Sequence, residues 1–465
     1  SSEEEDYPVT VTLKQTTPDA PLKSVTVKAK YVIGCDGARS RVRSAIGGEL
    51  KGDFEGQAWG VMDILANTDF PDFRFKSIIK SAAHGNILLI PREGGFMVRF
   101  YVELDKIGER GASRDISLDR LISAAKAILH PYSLDVKDVA WWSVYEVGHS
   151  VTDKFDDIPE SDIRKRLPHV FIAGDACHTH SAKAGQGMNV SMGDTFNLGW
   201  KLISVLKGKC HPDLLHSYSE ERRAVAQDLI DFDHTWARIM SKPTTAQEIN
   251  SSDAPLVQQH FQAGGRFTAG LSVTYQPSVL TGKAEWQHLA TGLEIGSRFH
   301  SAPAIRLADA KCVQINDVIK ADTRWHIFAF AGAGDPLAEN SRLVQLCAFL
   351  EKHSSSPIRK YTPEKESLDS VINFCAVLQQ GHDKLDFNTL PALLRPLVGT
   401  YRITDYEKAF CADQKGDRDI FSMRGINREN GCMVIVRPDQ YISHILPLDA
   451  YEDLRVFFDG FMLKP

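Results

Sequence analysis

Apolar and polar residues alternate at Val9, Val11 and Leu13, and again from Val25 to Ile33 after a polar turn containing Pro18. A period of two marks strands, so the chain is predicted to open with a hairpin. Further strands are predicted at Ala58 to Ile64, Ile87 to Ile90, Phe96 to Leu104 and Ala140 to Val147, with a helix over 117–129. In Phe96 to Leu104 the even positions are apolar and the odd ones present Arg99, Tyr101 and Glu103 on the opposite face. The run Val170 to Ala173 is apolar throughout and meets Gly174-Asp175, the pattern of a strand buried on both faces. Met192, Phe196, Gly199, Ile203 and Leu206 fall at helical spacing in a helix beginning near Met188, and a second long helix follows from Leu214 to Met240. Periodicity weakens over 241–280. Beyond it, strands at His326 to Phe330 and Met433 to Val436 alternate with a helix over Ser341 to Lys352, predicting a separate small α/β domain.

Composition narrows the picture. The 465 residues, 43% hydrophobic, suffice for about three domains. A net charge of -6 argues against nucleic acid or an anionic membrane as partner. No apolar run approaches the roughly 18 residues of a membrane span. The acidic start, Ser-Ser-Glu-Glu-Glu-Asp, excludes a signal peptide and Met-Leu-Lys-Pro at the other end matches no targeting signal, so a cytoplasmic protein is expected. Eight cysteines without C-x-x-C or zinc-ligand spacing read as reduced, mostly buried thiols. Serine stands first and strand-like sequence follows at once, so an upstream segment is expected.

Two motifs carry chemistry. From Tyr31 to Arg43 a strand runs into Asp36-Gly37, with Ser40 placed to cap a helix and Arg43 offering charge to a phosphate or pyrophosphate. From Val170 to Asn189 a buried strand delivers Asp175 to its C-terminal edge, where open α/β sheets bind ligands. Gly185 and Gly187 allow close approach of the backbone to a flat ring, and the helix from Met188 aims its free N–H groups at that ring. His178 and His180 lack a third nearby ligand and read as hydrogen-bonded structural groups, not as a metal site.

These strings resemble the flavoprotein aromatic hydroxylases, and phenol 2-monooxygenases in particular. Asp36-Gly37 is similar to their Asp-Gly motif and Gly174-Asp175 to Asn189 to their Gly-Asp motif. Asn197-Leu-Gly-Trp-Lys201, Ser217 to Arg222, Gly296 to Pro303 and Arg437 to His444 extend the likeness along nearly the whole chain. The resemblance implies FAD as cofactor, NADPH and O2 as co-substrates, and hydroxylation of a small phenolic substrate to a catechol through a flavin hydroperoxide. It implies flavin contacts at Asp36, Arg43, Arg99, Asp175, Gly185, Gln186, Gly187, Met188 and Asn189. It assigns Tyr101 to orienting the substrate hydroxyl and Arg92, with Arg99, to the charge around the flavin. The C-terminal domain resembles the thioredoxin-like domain of phenol hydroxylases; lacking C-x-x-C, it is expected to pack or to form a homodimer.

The fold expected is α/β: an incomplete FAD-binding unit of the glutathione-reductase-like type (1–50 and 158–245), an antiparallel substrate-binding sheet (51–157), a linker (246–280) and the thioredoxin-like domain (281–465). Three departures from the family stand out. Ala182 replaces a usual proline, His149-Ser150 a frequent Gln-Arg, and no G-x-G-x-x-G fingerprint occurs. The resemblance places that fingerprint, with a catalytic aspartate, in an upstream segment. The competing expectation is a truncated, non-catalytic remnant serving in binding or dimerisation.

Overall fold

The computed structural model describes residues 6–15, 24–81, 83–104, 116–163, 165–180, 186–241, 259, 262, 264–415 and 418–465. The first hairpin forms: β1 (Val9–Lys14) pairs antiparallel with β2 (Ser24–Ala29). Val9 and Val11 are half-buried with an exposed threonine between them, as alternation implied, whereas Leu13, Val25 and Val27 are exposed. The stretch predicted as one strand, Val25 to Ile33, breaks at Lys30. Its end, β3 (Val32–Gly34), leaves the hairpin and pairs in parallel with β9 (Val170–Ile172). A short helix, α1 (Arg41–Ala45), follows β3.

A six-stranded sheet has the order β10-β8-β4-β7-β6-β5. It comprises β4 (Leu50–Thr68), β5 (Ser77–Ser81), β6 (Gly85–Pro91), β7 (Val98–Glu103), β8 (Leu134–Thr152) and β10 (His178–Thr179), antiparallel at each junction. Val98, Phe100 and Val102 face inward against α2 (Leu118–Leu129), which is capped by Ser117 and buries Leu121, Ala125, Ile128 and Leu129. Each large side chain so buried contributes about 1.5–3 kcal/mol. Gly60 makes room for this helix, since a Cβ there would lie 2.1 Å from Leu121. Phe96, expected on the same inward face, precedes β7 and lies exposed.

Two long helices follow, α3 (Gly187–Leu206) and α4 (His216–Ser241). The helical spacing of Met192, Phe196, Ile203 and Leu206 located α3 but not its buried side. Those residues point outward, Met192 at 52% and Phe196 at 47% exposure, while Asp194, Asn197, Leu198, Trp200 and Lys201 are buried. The polar members of that inner face find partners on α4 and in the C-terminal domain.

The C-terminal sheet runs β12-β11-β17-β14-β13-β18-β19. Its strands are β11 (Pro303–Arg306), β12 (Cys312–Gln314), β13 (Trp325–Phe330), β14 (Ile372–Leu378), β17 (Ala409–Ala412), β18 (Cys432–Val436) and β19 (Ile442–Leu446). β13 and β14 are parallel and joined through α5 (Arg342–Lys352), and β18 and β19 add antiparallel before α6 (Tyr451–Asp459). That βαβ–ββ–α order is the thioredoxin-like arrangement. A small hairpin, β15 (Leu397–Val398) with β16 (Ile403–Thr404), projects from it. No described helix is long and apolar enough to cross a membrane. The eight cysteines are free, and all but Cys35 and Cys312 are buried.

Candidate functional site

The parallel pair β3 and β9 brings the Asp-Gly and Gly-Asp turns side by side; the Ala173 N–H donates to the Gly34 carbonyl at 3.0 Å. Asp36 turns its carboxylate to α1, accepting from the Ser40 hydroxyl and from the N–H groups of Arg41 (2.7 Å) and Val42 (3.1 Å). Burial pushes its pKa up, but these donors outweigh it and hold the group below the usual carboxylate range. Arg43 is buried and donates to the Ala176 and Ala38 carbonyls, both at 2.9 Å. Its guanidinium therefore staples the two turns together.

Asp175 is exposed at the tip of β9, with no hydrogen-bond or ion-pair partner among the described residues. Its turn, residues 174–176, lies against the first turns of α3. Gly174 has φ +63, and a Cβ on it would sit 3.2 Å from Ser191 Oγ, a buried hydroxyl without a hydrogen-bond partner among the described residues. Gly185 lies outside the described residues, as does Ala182. Gln186 stands at the N-cap position and no described side chain caps α3. Gly187 is packed under His180, where a Cβ would fall 1.9 Å from the imidazole. Met188 and Asn189 are exposed. The leading N–H groups of a helix have no partners within it, so this end presents donors pointing out of the helix and a positive dipole end. A free carboxylate beside such donors suits a cofactor with both a polyol chain and an anionic ring, and FAD fits these residues.

Asp194 fastens the turn from within α3. One oxygen accepts the Gly174 N–H (3.2 Å) and meets His178 Nε2 (2.8 Å); the other accepts Arg222 Nε (2.7 Å). Burial opposes its ionisation, yet His178 and Arg222 keep its pKa below normal. Arg222 also donates to the Val190 carbonyl (3.2 Å), in the first turn of α3. His149, at a departure from the family, forms a buried pair with Asp233 of α4 at 2.8 Å.

A second cluster occupies the sheet face opposite α2. Arg99 of β7 makes two 2.7 Å hydrogen bonds to Asp63 of β4, and its guanidinium lies 5.7 Å from the Trp141 ring of β8. Those bonds to Arg99 hold Asp63 below its usual pKa, and the Asp63 carboxylate together with the neighbouring Tyr101 phenol raises that of Arg99. Tyr101 lies on this face opposite Val61. Arg92 pairs with Glu93 at 2.7 Å, while its Nε is buried without a partner among the described residues. Arg92, Arg99 and Tyr101 thus share one wall. No hydrogen bond or ion pair among the described residues joins that wall to Asp175 and the start of α3. Sequence reasoning missed Asp63, Asp194 and Arg222. Alternation in Ala58 to Ile64 puts Asp63 on the face of Trp59 and Val61, but its partner depends on strand register.

The mixed parallel and antiparallel sheets, the Gly-Asp turn and the thioredoxin-like unit define a flavoprotein hydroxylase. Residues 1–233 match the FAD binding domain family, and residues 273–465 match the C-terminal dimerisation domain of phenol hydroxylase. The chain is 52% identical over 462 residues to a 3-hydroxybenzoate 4-monooxygenase of Comamonas testosteroni, covering 98% of this chain and 72% of that one. It is 35% identical to a phenol 2-monooxygenase of Aspergillus fumigatus, covering 100% and 74%. The anhydrotetracycline hydroxylase OxyS of Streptomyces rimosus shares the fold, with TM-score 0.59 at 18% identity over 97% of this chain and 73% of that one. The chain belongs to the FAD-dependent aromatic monooxygenases of the phenol hydroxylase family.

Proposed function

We propose that this protein hydroxylates a phenol beside its existing hydroxyl, giving a catechol, with FAD as cofactor and NADPH as reductant. The observation that carries this reading is the Asp175 carboxylate, without a partner among the described residues, set against the amino end of α3. FAD supplies the electron transfer and oxygen activation when bound. Asp175 accepts hydrogen bonds from the polyol, and the N–H groups of Gly187, Met188 and Asn189 steady negative charge on the ring. The Arg99–Asp63 pair holds a fixed dipole on the sheet wall, and Tyr101 beside it donates its O–H to the substrate oxygen. Arg92 adds positive charge at the same wall. The units performing these tasks are residues 1–50 and 158–245 for the cofactor and 51–157 for the substrate, with 281–465 as a packing and dimerising domain.

The relative from Comamonas testosteroni takes its name from 3-hydroxybenzoate, so that compound and phenol are the substrates to assay. The purified chain is expected to be yellow or to take up added FAD, and to consume NADPH as catechol forms. Tyr101→Phe is expected to lower kcat/KM about 10- to 100-fold, the worth of one hydrogen bond to a charged oxygen, with flavin content unchanged. A colourless protein that ignores added FAD counts against the enzyme reading and for the non-catalytic one.

The hairpin β15–β16 supports the dimer. Tyr401 is 88% and Ile403 61% exposed, with Leu397 and Tyr406 beside them, within the stretch that matches the dimerisation family. A second copy of this chain covers these side chains. Tyr401→Asp combined with Ile403→Asp is expected to give monomers by sedimentation, and dimers persisting at the same concentration would remove the hairpin from the interface.

A further inference from the structure

The inner faces of α3 and α4 meet the C-terminal domain in a buried cluster of three carboxylates and three cations. Asp194, Glu221 and Asp439 face Lys201, Arg222 and Arg437. Glu221 accepts Arg437 through two bonds (2.6 and 2.9 Å), Lys201 at 2.8 Å and Asn197 at 2.7 Å. Arg437 also grips Asp439 at 2.9 and 2.7 Å and lies 4.8 Å from the Tyr275 ring. Trp200 Nε1 donates to Asp439 at 3.0 Å.

Tyr275 is where this cluster reaches the Gly-Asp turn. Its hydroxyl accepts from Arg222 Nη1 at 3.1 Å and from Asn197 Nδ2 at 3.3 Å. The other nitrogens of Arg222 hold the Val190 carbonyl and Asp194, and Asp194 in turn holds Gly174 and His178. Two side chains therefore separate the Tyr275 hydroxyl from the backbone beside Asp175. Tyr275 itself is tied to the C-terminal domain. Its N–H donates to the Gly296 carbonyl (2.9 Å), and the Gly296 N–H donates to that of Ile442 in β19 (2.8 Å). Gly296 has φ +86, and a Cβ there would fall 2.1 Å from the Tyr275 carbonyl, so only glycine fits.

We propose that Tyr275 is a positioning residue through which the C-terminal domain sets the Gly-Asp turn and the first turn of α3. The role in cofactor binding rests on the flavin reading of that site; the mechanical link does not. Tyr275 keeps Arg222 extended so that one guanidinium serves the helix and Asp194 at once. Without the phenol oxygen, Arg222 loses its third anchor and both segments loosen.

The test is amide hydrogen exchange on the ligand-free full chain, with FAD titrated separately. Tyr275→Phe is expected to speed exchange about tenfold over 173–180 and 187–192, leaving 325–330 unchanged, and to raise the Kd for FAD several-fold. Arg222→Lys, which keeps the charge but cannot reach three acceptors, is expected to loosen the same segments further. Tyr361→Phe is the control, a buried tyrosine of the same domain bonded to Asp459 at 2.5 Å; it is expected to leave 173–192 untouched. Wild-type exchange over 173–192 in Tyr275→Phe, or a loss spread evenly over the C-terminal sheet, overturns the proposal. Loosening in a protein that takes no FAD would instead overturn the flavin reading and leave the link standing.

Discussion

Arg437→Met is expected to destabilise the folded chain by about 3–5 kcal/mol, the cost of leaving a buried ion without its partner. Arg437 is wholly buried, and burial alone would lower its pKa; Asp439 and Glu221 reverse this and raise it well above normal. Methionine fills similar volume, so packing changes little, but three buried carboxylates then face two cations. Glu221 retains Lys201 and Asn197, while Asp439 retains Trp200 and Asn197. Adding Glu221→Gln removes the excess negative charge, and the double variant is expected to be more stable than Arg437→Met alone. Urea unfolding of the four proteins in the cycle measures this coupling. A loss below about 1 kcal/mol for the single variant would mean that the cluster is hydrated and contributes little. The cluster spans both matched families, so its loss is also expected to separate the unfolding of the two units into distinct transitions.

Acid is expected to weaken the C-terminal domain through His326. This residue of β13 is buried, and burial, aided by Arg324 and Lys408 and opposed by Asp322, pushes its pKa down to about 3. Lys408 donates to the Asn373 carbonyl oxygen, which turns the Asn373 amide nitrogen toward His326 Nδ1 at 3.1 Å. Nδ1 therefore accepts, and the ring stays neutral with its proton on Nε2. In the unfolded chain the imidazole protonates near pH 6.5. Between about pH 6.5 and about pH 3 the unfolded state binds the extra proton and the folded state does not. Stability then falls as pH falls, by about 1.4 kcal/mol per pH unit from this group. Urea midpoints taken from pH 7 to pH 4 are expected to drop steeply in the wild type and less steeply in His326→Gln. Equal slopes in the two proteins would exclude His326 as the source.

Local patterns revealed most of the elements. The helix over 117–129, the apolar strands at 170–172 and 325–330, and the helix near Met188 follow from periodicity and from short apolar runs, patterns that act within a few residues. The Gly-Asp string was legible because its chemistry is local: a strand tip, a turn and a helix start contiguous in the chain. Arg43 shows the limit. As an isolated cation after a turn it reads as a phosphate ligand, whereas tertiary contact brings the Ala176 carbonyl, 133 positions away, to its guanidinium.

The sequence by itself determined the family, the α/β class and the places where a carboxylate, a glycine bend and a helix start adjoin, since these depend on neighbours in the chain. Only the tertiary structure decided which face of α3 is buried, that Arg99 answers to Asp63, and that Tyr275 accepts from Arg222. Each of those depends on strand register or on contacts between residues far apart in sequence. A buried charge is tolerated by virtue of its partner, and no pattern along the chain names the partner.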